Sequence, residues 1–501
     1  MTVSAKRYRR PERTRQQQGE DVRKGRPIRD VTLQDTLWTF DDLVGAAGGR
    51  ADNASGAPVT GLSIDTRTLA PGDLFVALKD QRDGHEFVSA AFAAGAAAAL
   101  VSTSYEAKPG DGPLIRVPDV QAALENIGRA ARARLSPDAR VIAVTGSAGK
   151  TGTKDMLRAA LSRVGATHGA DKSFNNHWGV PLTLARMPAA RRFGVFEIGM
   201  NHAGEIGPLS RMVRPHIAIV TTVDAVHLAQ FPNVEAIAEA KAEIFQGLEP
   251  GGTAILNRDN VHFETLRRHA EEVGARVVSF GQSARADVRS KVLEIAADGT
   301  AMQIDIGGRE IHCRVGVPGI HIAMNALAVA AAIDAAGADV ETALAALPTV
   351  PPPPGRGVRT ELPLGDGHIL LIDESYNANP ASMRAAFAVL GTVPRAAYKR
   401  RIAVLGDMLE LGAEEQSHHL ALKEAVDAAG TDLVFASGPN MEHLFRALPP
   451  ERQGAWGLRS GEIEDALVAR LAPGDVVMVK GSNGSRMGPL ADALRKRLAA
   501  G

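Results

Sequence analysis

The sequence predicts an α/β protein of three domains. These are a small N-terminal α/β domain, a central doubly wound domain with a P-loop, and a C-terminal Rossmann-like domain. Three observations predict it. Short, continuously apolar runs alternate with helical patterns through most of the 501 residues, as in parallel sheets covered on both faces. The run Val141–Val144 breaks into Gly146-Ser147-Ala148-Gly149-Lys150-Thr151, and a helical pattern follows from Thr153 to Leu161. The tract Pro351–Pro354 then divides the alternation in two, because consecutive prolines favour extended polyproline II and exclude helix.

Taken in order, residues 1–31 are rich in lysine and arginine and poor in apolar side chains, which predicts a disordered basic tail with no core to pack. They contain no apolar segment of the secretory type. Residues 32–138 form the N-terminal domain. Leu62–Arg67 alternates as a strand, Leu74–Leu78 reads as another, Ala90–Ala98 as a helix and Ala99–Val101 as a short strand. Residues 139–350 form the central domain, with strands expected at Val141–Val144, Gly194–Ile198, Ile217–Val223, Thr253–Leu256 and Val277–Phe280. Val288–Val317 alternates in short pieces with turns at Asp298-Gly299 and Gly307-Gly308, an antiparallel addition. A helix follows from about Ala323 to Ala336. Residues 351–501 form the C-terminal domain, with strands at Ile369–Ile372, Arg401–Leu405, Leu433–Ala436 and Val476–Val479.

Composition narrows the function classes. Formal net charge is +0, so no global field favours nucleic acid. A lone cysteine, Cys313, forbids an internal disulfide and suits a reducing compartment. No apolar run is long and charge-free enough to span a bilayer. The glycine loop is the informative feature. Glycines let backbone N–H groups approach an anion, and the following helix N-terminus adds partial positive charge. Lys150 can reach outer phosphates, and the Thr151 hydroxyl can hold Mg²⁺. Val144 stands where the longer form of this loop has its first glycine. The alternative is a plain glycine turn.

The chain resembles the Mur ligase family from Thr32 to its C-terminus. Five segments carry the resemblance: Thr145–Thr151; Asn175-Asn176-His177-Trp178-Gly179-Val180-Pro181; Glu197-Ile198-Gly199-Met200; Ala240–Phe245; and Asp373–Pro380 together with Leu405–Gly412. The last pair is similar to the dipeptide-adding members. The resemblance implies a cytoplasmic, monomeric, ATP- and Mg²⁺-dependent amide ligase. ATP would phosphorylate the terminal carboxylate of a UDP-linked muramoyl tripeptide, and the amine of D-alanyl-D-alanine would attack the acyl phosphate. Its partners would be these small molecules, with no nucleic acid and no membrane segment.

Residue by residue, the resemblance implies an ATP cradle of Gly146, Ser147, Ala148, Gly149, Lys150 and Thr151. Glu197 ends an apolar strand at the sheet edge where ligands bind, and a carboxylate there suits Mg²⁺. The alternative is an ordinary strand-end acid. His227 is implied as a second ligand, although imidazole is an unusual partner for magnesium. Lys241, otherwise a solvated helical lysine, is implied to be N-carboxylated and to offer a carbamate oxygen. Asn325 is implied near adenine; Ile322 replaces an asparagine of the family's His-Asn-x-x-Asn-Ala pattern. Arg356, at the hinge, is implied to meet ATP phosphates. Asp373, Asn377 and Asn379 belong to the same ATP cleft. Asp407 and Glu410 are candidates for the amine substrate. Asp65, Thr66 and Arg67 are candidates for the uridine nucleotide, and Asn176 and Thr183 for the substrate chain. Lys480–Ser485 is expected to close over the substrate's tail.

Two other readings stay open from the sequence. A sister Mur ligase or a folylpolyglutamate synthetase-like ligase shares the central residues, and Asn377–Pro380 discriminates. A non-catalytic P-loop nucleotide-binding protein would need neither the metal residues nor a third domain. Whether the tripeptide ends in diaminopimelate or lysine is not written in these segments.

Overall fold

The computed structural model describes residues 36–52, 56–226 and 228–499. The basic tail and His227 lie outside them. Three sheets follow one another along the chain, of five, nine and six strands.

The first sheet comprises β1 (Arg50–Ala51), β2 (Gly61–Ser63), β3 (Asp73–Val76), β4 (Ala98–Ser102) and β5 (Leu114–Val117), in the order β1-β5-β4-β3-β2. β2 to β5 run parallel, and β1 pairs antiparallel with β5. The strand expected over Leu62–Arg67 stops at Ser63, because the Asp65 carboxylate accepts the Arg67 backbone N–H at 2.9 Å and turns the chain. The helix expected at Ala90–Ala98 spans Val88–Ala93 and ends before Gly95, which has φ 97°. Helix Val120–Ala133 packs on helix Gly179–Ala185 of the next unit at Gly128. A Cβ there would stand 3.2 Å from the Pro181 carbonyl oxygen, so a side chain at this position would push the helices apart by a few tenths of an ångström. Leu182 and Ala185 thereby complete the N-terminal core.

The second sheet comprises β6 (Arg140–Thr145), β7 (Thr167–Gly169), β8 (Phe193–Glu197), β9 (Ile217–Val220), β10 (Thr253–Asn257), β11 (Arg276–Gly281), β12 (Val288–Ala296), β13 (Gly299–Ile306) and β14 (Arg309–Val315). The order is β14-β13-β12-β11-β10-β9-β6-β8-β7. β6 to β11 are parallel, and β12 to β14 form the antiparallel addition. Helix Ile320–Ala335 is buried along nearly its whole length, because the sheet covers one side and helix Lys150–Leu161 another. Its middle, Ala326–Ile333, is accordingly apolar all round, as an enclosed stretch of helix must be.

The third sheet comprises β15 (Val358–Leu364), β16 (Gly367–Glu374), β17 (Arg400–Gly406), β18 (Leu433–Ser437), β19 (Gln453–Gly457) and β20 (Asp475–Lys480), in the order β15-β16-β20-β17-β18-β19. Only β15 is antiparallel to its neighbour. The two edge strands, β15 and β19, were not evident as strands in the sequence. One contains Pro363 and the other two glycines, residues that weaken a strand signal and are tolerated at sheet edges. Among the described residues no helix is long and apolar enough to cross a membrane.

Candidate functional site

The carboxyl ends of two parallel sheets open into one cleft of about 640 Å³. β6 lies between β8 and β9, with Val144 beside Glu197 and Thr145 beside Val220. The phosphate loop, Glu197 and Thr221 therefore reach the same edge. From the other sheet, Glu374 and Lys480 end adjacent strands in register and face the cleft.

The loop between β6 and helix Lys150–Leu161 is held by its neighbours. Thr221 Oγ1 donates to the Ala148 carbonyl at 2.5 Å, and Ser147 Oγ accepts the Asp224 N–H at 2.9 Å. Gly149 is left-handed at φ 82°, and a Cβ on Gly146 would fall 1.9 Å from Thr221 Oγ1. Lys150 Nζ donates to the Gly146 carbonyl at 2.6 Å. Burial pushes its ammonium below the usual lysine range; Glu197 opposes the shift and Arg356 adds to it.

Among the described residues, the buried oxygens at this edge without a hydrogen-bond partner include Thr145 Oγ1, Thr151 Oγ1 and Glu197 Oε2. Glu197 Oε1, by contrast, accepts from Ser173 Oγ and Asn175 Nδ2, each at 2.7 Å. Lys241 is 2 % exposed on helix Val234–Ala242. Burial, and then Lys150, hold its amine well below the usual range, and among the described residues it has no carboxylate partner. Lys241 is not among the residues that line the cleft; of the expected metal donors, Thr151 Oγ1 and Glu197 Oε2 reach this edge, and both are oxygens of the kind Mg²⁺ takes. Among the described residues no group of three His, Cys, Asp or Glu side chains converges on a metal position.

The remaining candidates divide. Asn325 packs on the phosphate loop; a Cβ on Gly149 would lie 2.5 Å from its Oδ1. The Arg356 guanidinium stacks 4.1 Å from the Tyr376 ring centroid. Asn377 lines the cleft, and its carbonyl accepts Lys480 Nζ at 3.0 Å. Asn379 also lines it, while its side chain caps helix Pro380–Thr392 in a capping box with Ser382. Asp373 is not among the cleft residues: it pairs with Arg495 at 2.6 Å and accepts Ser375 Oγ at 2.6 Å. Asp407 accepts the Met441 and Asn440 N–H groups at 2.7 and 3.3 Å, and burial pushes its carboxyl up. Glu410 has φ 65°, and its carbonyl accepts the Ala229 N–H at 3.2 Å, joining two domains.

In the N-terminal domain Asp65 and Arg67 form an ion pair at 2.7 Å, and Thr66 lies in the same turn. Hydrogen bonds from Arg67 hold the Asp65 carboxyl down at about 2. Asn176 Oδ1 accepts the Gly179 N–H at 2.9 Å, and Thr183 Oγ1 donates to the Gly179 carbonyl at 2.8 Å. Both shape helix Gly179–Ala185, and neither reaches the cleft. Ser173 was not singled out from the sequence, and Asn175 and Glu374 stood there only within the segments that carry the resemblance, with no role of their own. Ser173 and Asn175 are more than twenty residues from the carboxylate they bind, a separation no local pattern encodes.

Residues 144–333 match the Mur ligase middle domain, and residues 358–483 match the Mur ligase, glutamate ligase domain. The UDP-N-acetylmuramoyl-tripeptide–D-alanyl-D-alanine ligase of Escherichia coli (strain K12) is 38% identical over 397 residues, covering 78% of this chain and 84% of that protein. The enzyme of the same name from Bacillus subtilis (strain 168) is 34% identical over 437 residues, covering 86% and 92%. A crystal structure of MurF from Acinetobacter baumannii superposes with a TM-score of 0.78 at 28% identity, over 92% of this chain and 99% of that one.

Proposed function

The chain belongs to the Mur ligase family, and from that premise we propose that it joins D-alanyl-D-alanine to a UDP-N-acetylmuramoyl tripeptide at the expense of ATP. One observation supports the ligase reading: the glycine loop and a second domain's strand ends line a single cleft, which suits a reaction that brings substrates together from two domains. The same reading makes the protein a cytoplasmic monomer acting on small molecules.

The chemistry needs activation, because a carboxylate is a poor electrophile. A carboxylate oxygen attacks the γ-phosphorus, the bond to ADP breaks, and an acyl phosphate forms. The neutral amine then attacks the carbonyl carbon, phosphate leaves, and the amine's second proton is lost to solvent. Much of the catalysis is positioning and charge neutralisation. In this reading Gly146–Thr151 cradle the phosphates through backbone N–H groups, and Lys150 moves from the Gly146 carbonyl to the transferring phosphate. Arg356 adds a second cation from the hinge. Thr151 Oγ1, Glu197 Oε2 and a carbamylated Lys241 would hold Mg²⁺, with His227 as a further ligand. Mg²⁺, when bound, would supply charge neutralisation. Asn325 fixes the loop that meets the nucleotide. Asn377, Glu374 and Lys480 face the reacting groups from the C-terminal domain, and Asp407 and Glu410 shape the loop beside the amine site. Asp65, Thr66 and Arg67 meet the uridine end.

The test is ADP release with a panel of nucleotide-linked peptides and amines. Turnover with the tripeptide and D-alanyl-D-alanine together, and not with either alone, is expected. Equal turnover without the amine would refute it. The dipeptide-adding reading is preferred to a sister ligase because its named relatives exceed 30% identity across most of the chain.

A further inference from the structure

Lys154 is a fully buried lysine, 0 % exposed, on the helix that begins at Lys150. Four residues separate the two, so both lie on one helix face. Lys154 does not face the cleft. Its Nζ donates to the Ala170 carbonyl at 2.8 Å and to the Lys172 carbonyl at 3.4 Å, and pairs with Asp155 at 2.9 Å. Burying a charge is costly unless it is paired and hydrogen-bonded, and here the bonds fall on two carbonyls of one loop. That loop leads directly to Ser173 and Asn175.

The loop's next residues converge on Glu197. Ser173 Oγ and Asn175 Nδ2 both donate to Oε1, and Asn175 Nδ2 is also 3.0 Å from Ser173 Oγ. The Asn175 carbonyl accepts the Gly199 N–H at 2.8 Å, two residues past Glu197. One carboxylate oxygen is thereby occupied, and the other, Oε2, is buried with no partner among the described residues.

We propose that Lys154 is a positioning residue: it clamps the loop that occupies Glu197 Oε1, and so leaves Oε2 as the oxygen aimed at the bound cation. The proposal rests on the reading of Glu197 as a Mg²⁺ ligand. The helix that carries the phosphate lysine thus also sets the orientation of the metal carboxylate, coupling the two halves of the site through one rigid element. Groups that orient metal ligands typically change metal affinity by about 10–100-fold when removed.

The experiment measures Mn²⁺ binding to the full chain with saturating ADP, by loss of the free-ion paramagnetic resonance signal. Lys154→Met, which keeps the aliphatic stem, should weaken Mn²⁺ binding about 10–100-fold. In turnover assays it should raise the Mg²⁺ concentration for half-maximal rate by a similar factor, with kcat largely restored at high Mg²⁺. A merely structural loss lowers the active fraction without moving that concentration. Lys154→Gln, which keeps an N–H donor, should recover part of the affinity. If Lys154→Met does not fold, two glycines inserted between Lys172 and Ser173 free the loop while leaving Lys154 in place, and should reproduce the loss. Wild-type Mn²⁺ affinity in the folded Met variant or in the insertion variant overturns the proposal. Glu197→Gln is the control: if it leaves Mn²⁺ affinity unchanged, the metal reading itself fails. If only Glu197→Gln weakens binding, the positioning role alone fails.

Discussion

Glu374 and Lys480 stand 3.7 Å apart at the ends of adjacent parallel strands, facing the phosphate loop across the cleft. Burial pushes the Glu374 carboxyl up and the Lys480 ammonium down, and each opposes the other's shift. Removing one partner strands the other. Lys480→Met should cost roughly 2–3 kcal/mol, toward the lower end for a broken buried pair because Glu374 keeps some exposure. The double variant with Glu374→Gln should regain much of that stability in urea denaturation while turnover stays low. Single and double variants of equal stability would contradict this pairing.

Lys150 sits where the transferring phosphate is proposed to bind, and its hydrogen bond goes to a loop carbonyl. Lys150→Ala should lower turnover at least ~10²-fold, the scale of losing one electrostatic stabiliser, with the circular dichroism spectrum unchanged. Near wild-type turnover in the folded variant would remove Lys150 from the mechanism.

Gly146 offers a steric test of the loop. A Cβ would fall 1.9 Å from Thr221 Oγ1, at φ 148°. Alanine at a positive φ is strained in addition to the clash. Gly146→Ala should therefore displace the loop and weaken nucleotide binding at least ~10-fold, equivalent to about 1.4 kcal/mol, as read by calorimetry with ADP. Unchanged affinity would mean the loop does not contact the phosphates.

Lys241 is buried and has no counter-charge among the described residues. A depressed amine is the form that reacts with CO₂, since carbamate formation needs the neutral nitrogen. Lys241→Ala should fold but lose most ligation. Acetate or formate at high concentration should restore part of it by supplying an oxygen ligand, and chloride at equal ionic strength should not. Full activity in Lys241→Ala or Lys241→Arg would rule out the carbamate.

His216 gives a pH dependence with a fixed sign. Its Nδ1 accepts the Val141 N–H at 3.0 Å, so that nitrogen must be unprotonated. Burial, followed by Arg132 and Arg140, holds the ring at about 4, below the ordinary 6.5. Between these values the unfolded chain binds the extra proton and the folded chain does not, so stability present above about pH 6.5 is lost as pH falls towards 4. Equilibrium denaturation across that window should show the loss, and His216→Gln should reduce its slope. A wild-type slope in that variant would assign the dependence to other groups.

The sequence by itself determined the three α/β units and the phosphate loop, because both are written locally. Apolar runs of strand length, glycines at Gly146 and Gly149, and the helix beginning at Lys150 are short-range patterns, and the proline tract marks the join. It also pointed to Glu197 and Lys241 through their segments. Tertiary structure alone decided which oxygen of Glu197 is occupied, because Ser173 and Asn175 reach Oε1 from another loop and Lys154 anchors that loop from a helix. It turned Asp373 away to Arg495 and brought Glu374 into the cleft instead: neighbours on a strand point to opposite faces, and apolar patterning does not say which side the second domain will occupy. It committed Asn176 and Thr183 to backbone groups of their own helix, and Asp407 to the N–H groups of Asn440 and Met441 beyond the next strand. Hydrogen-bond partners far apart in the chain meet only when the sheets are assembled, so a carboxylate's identity is legible in sequence and its partner is not.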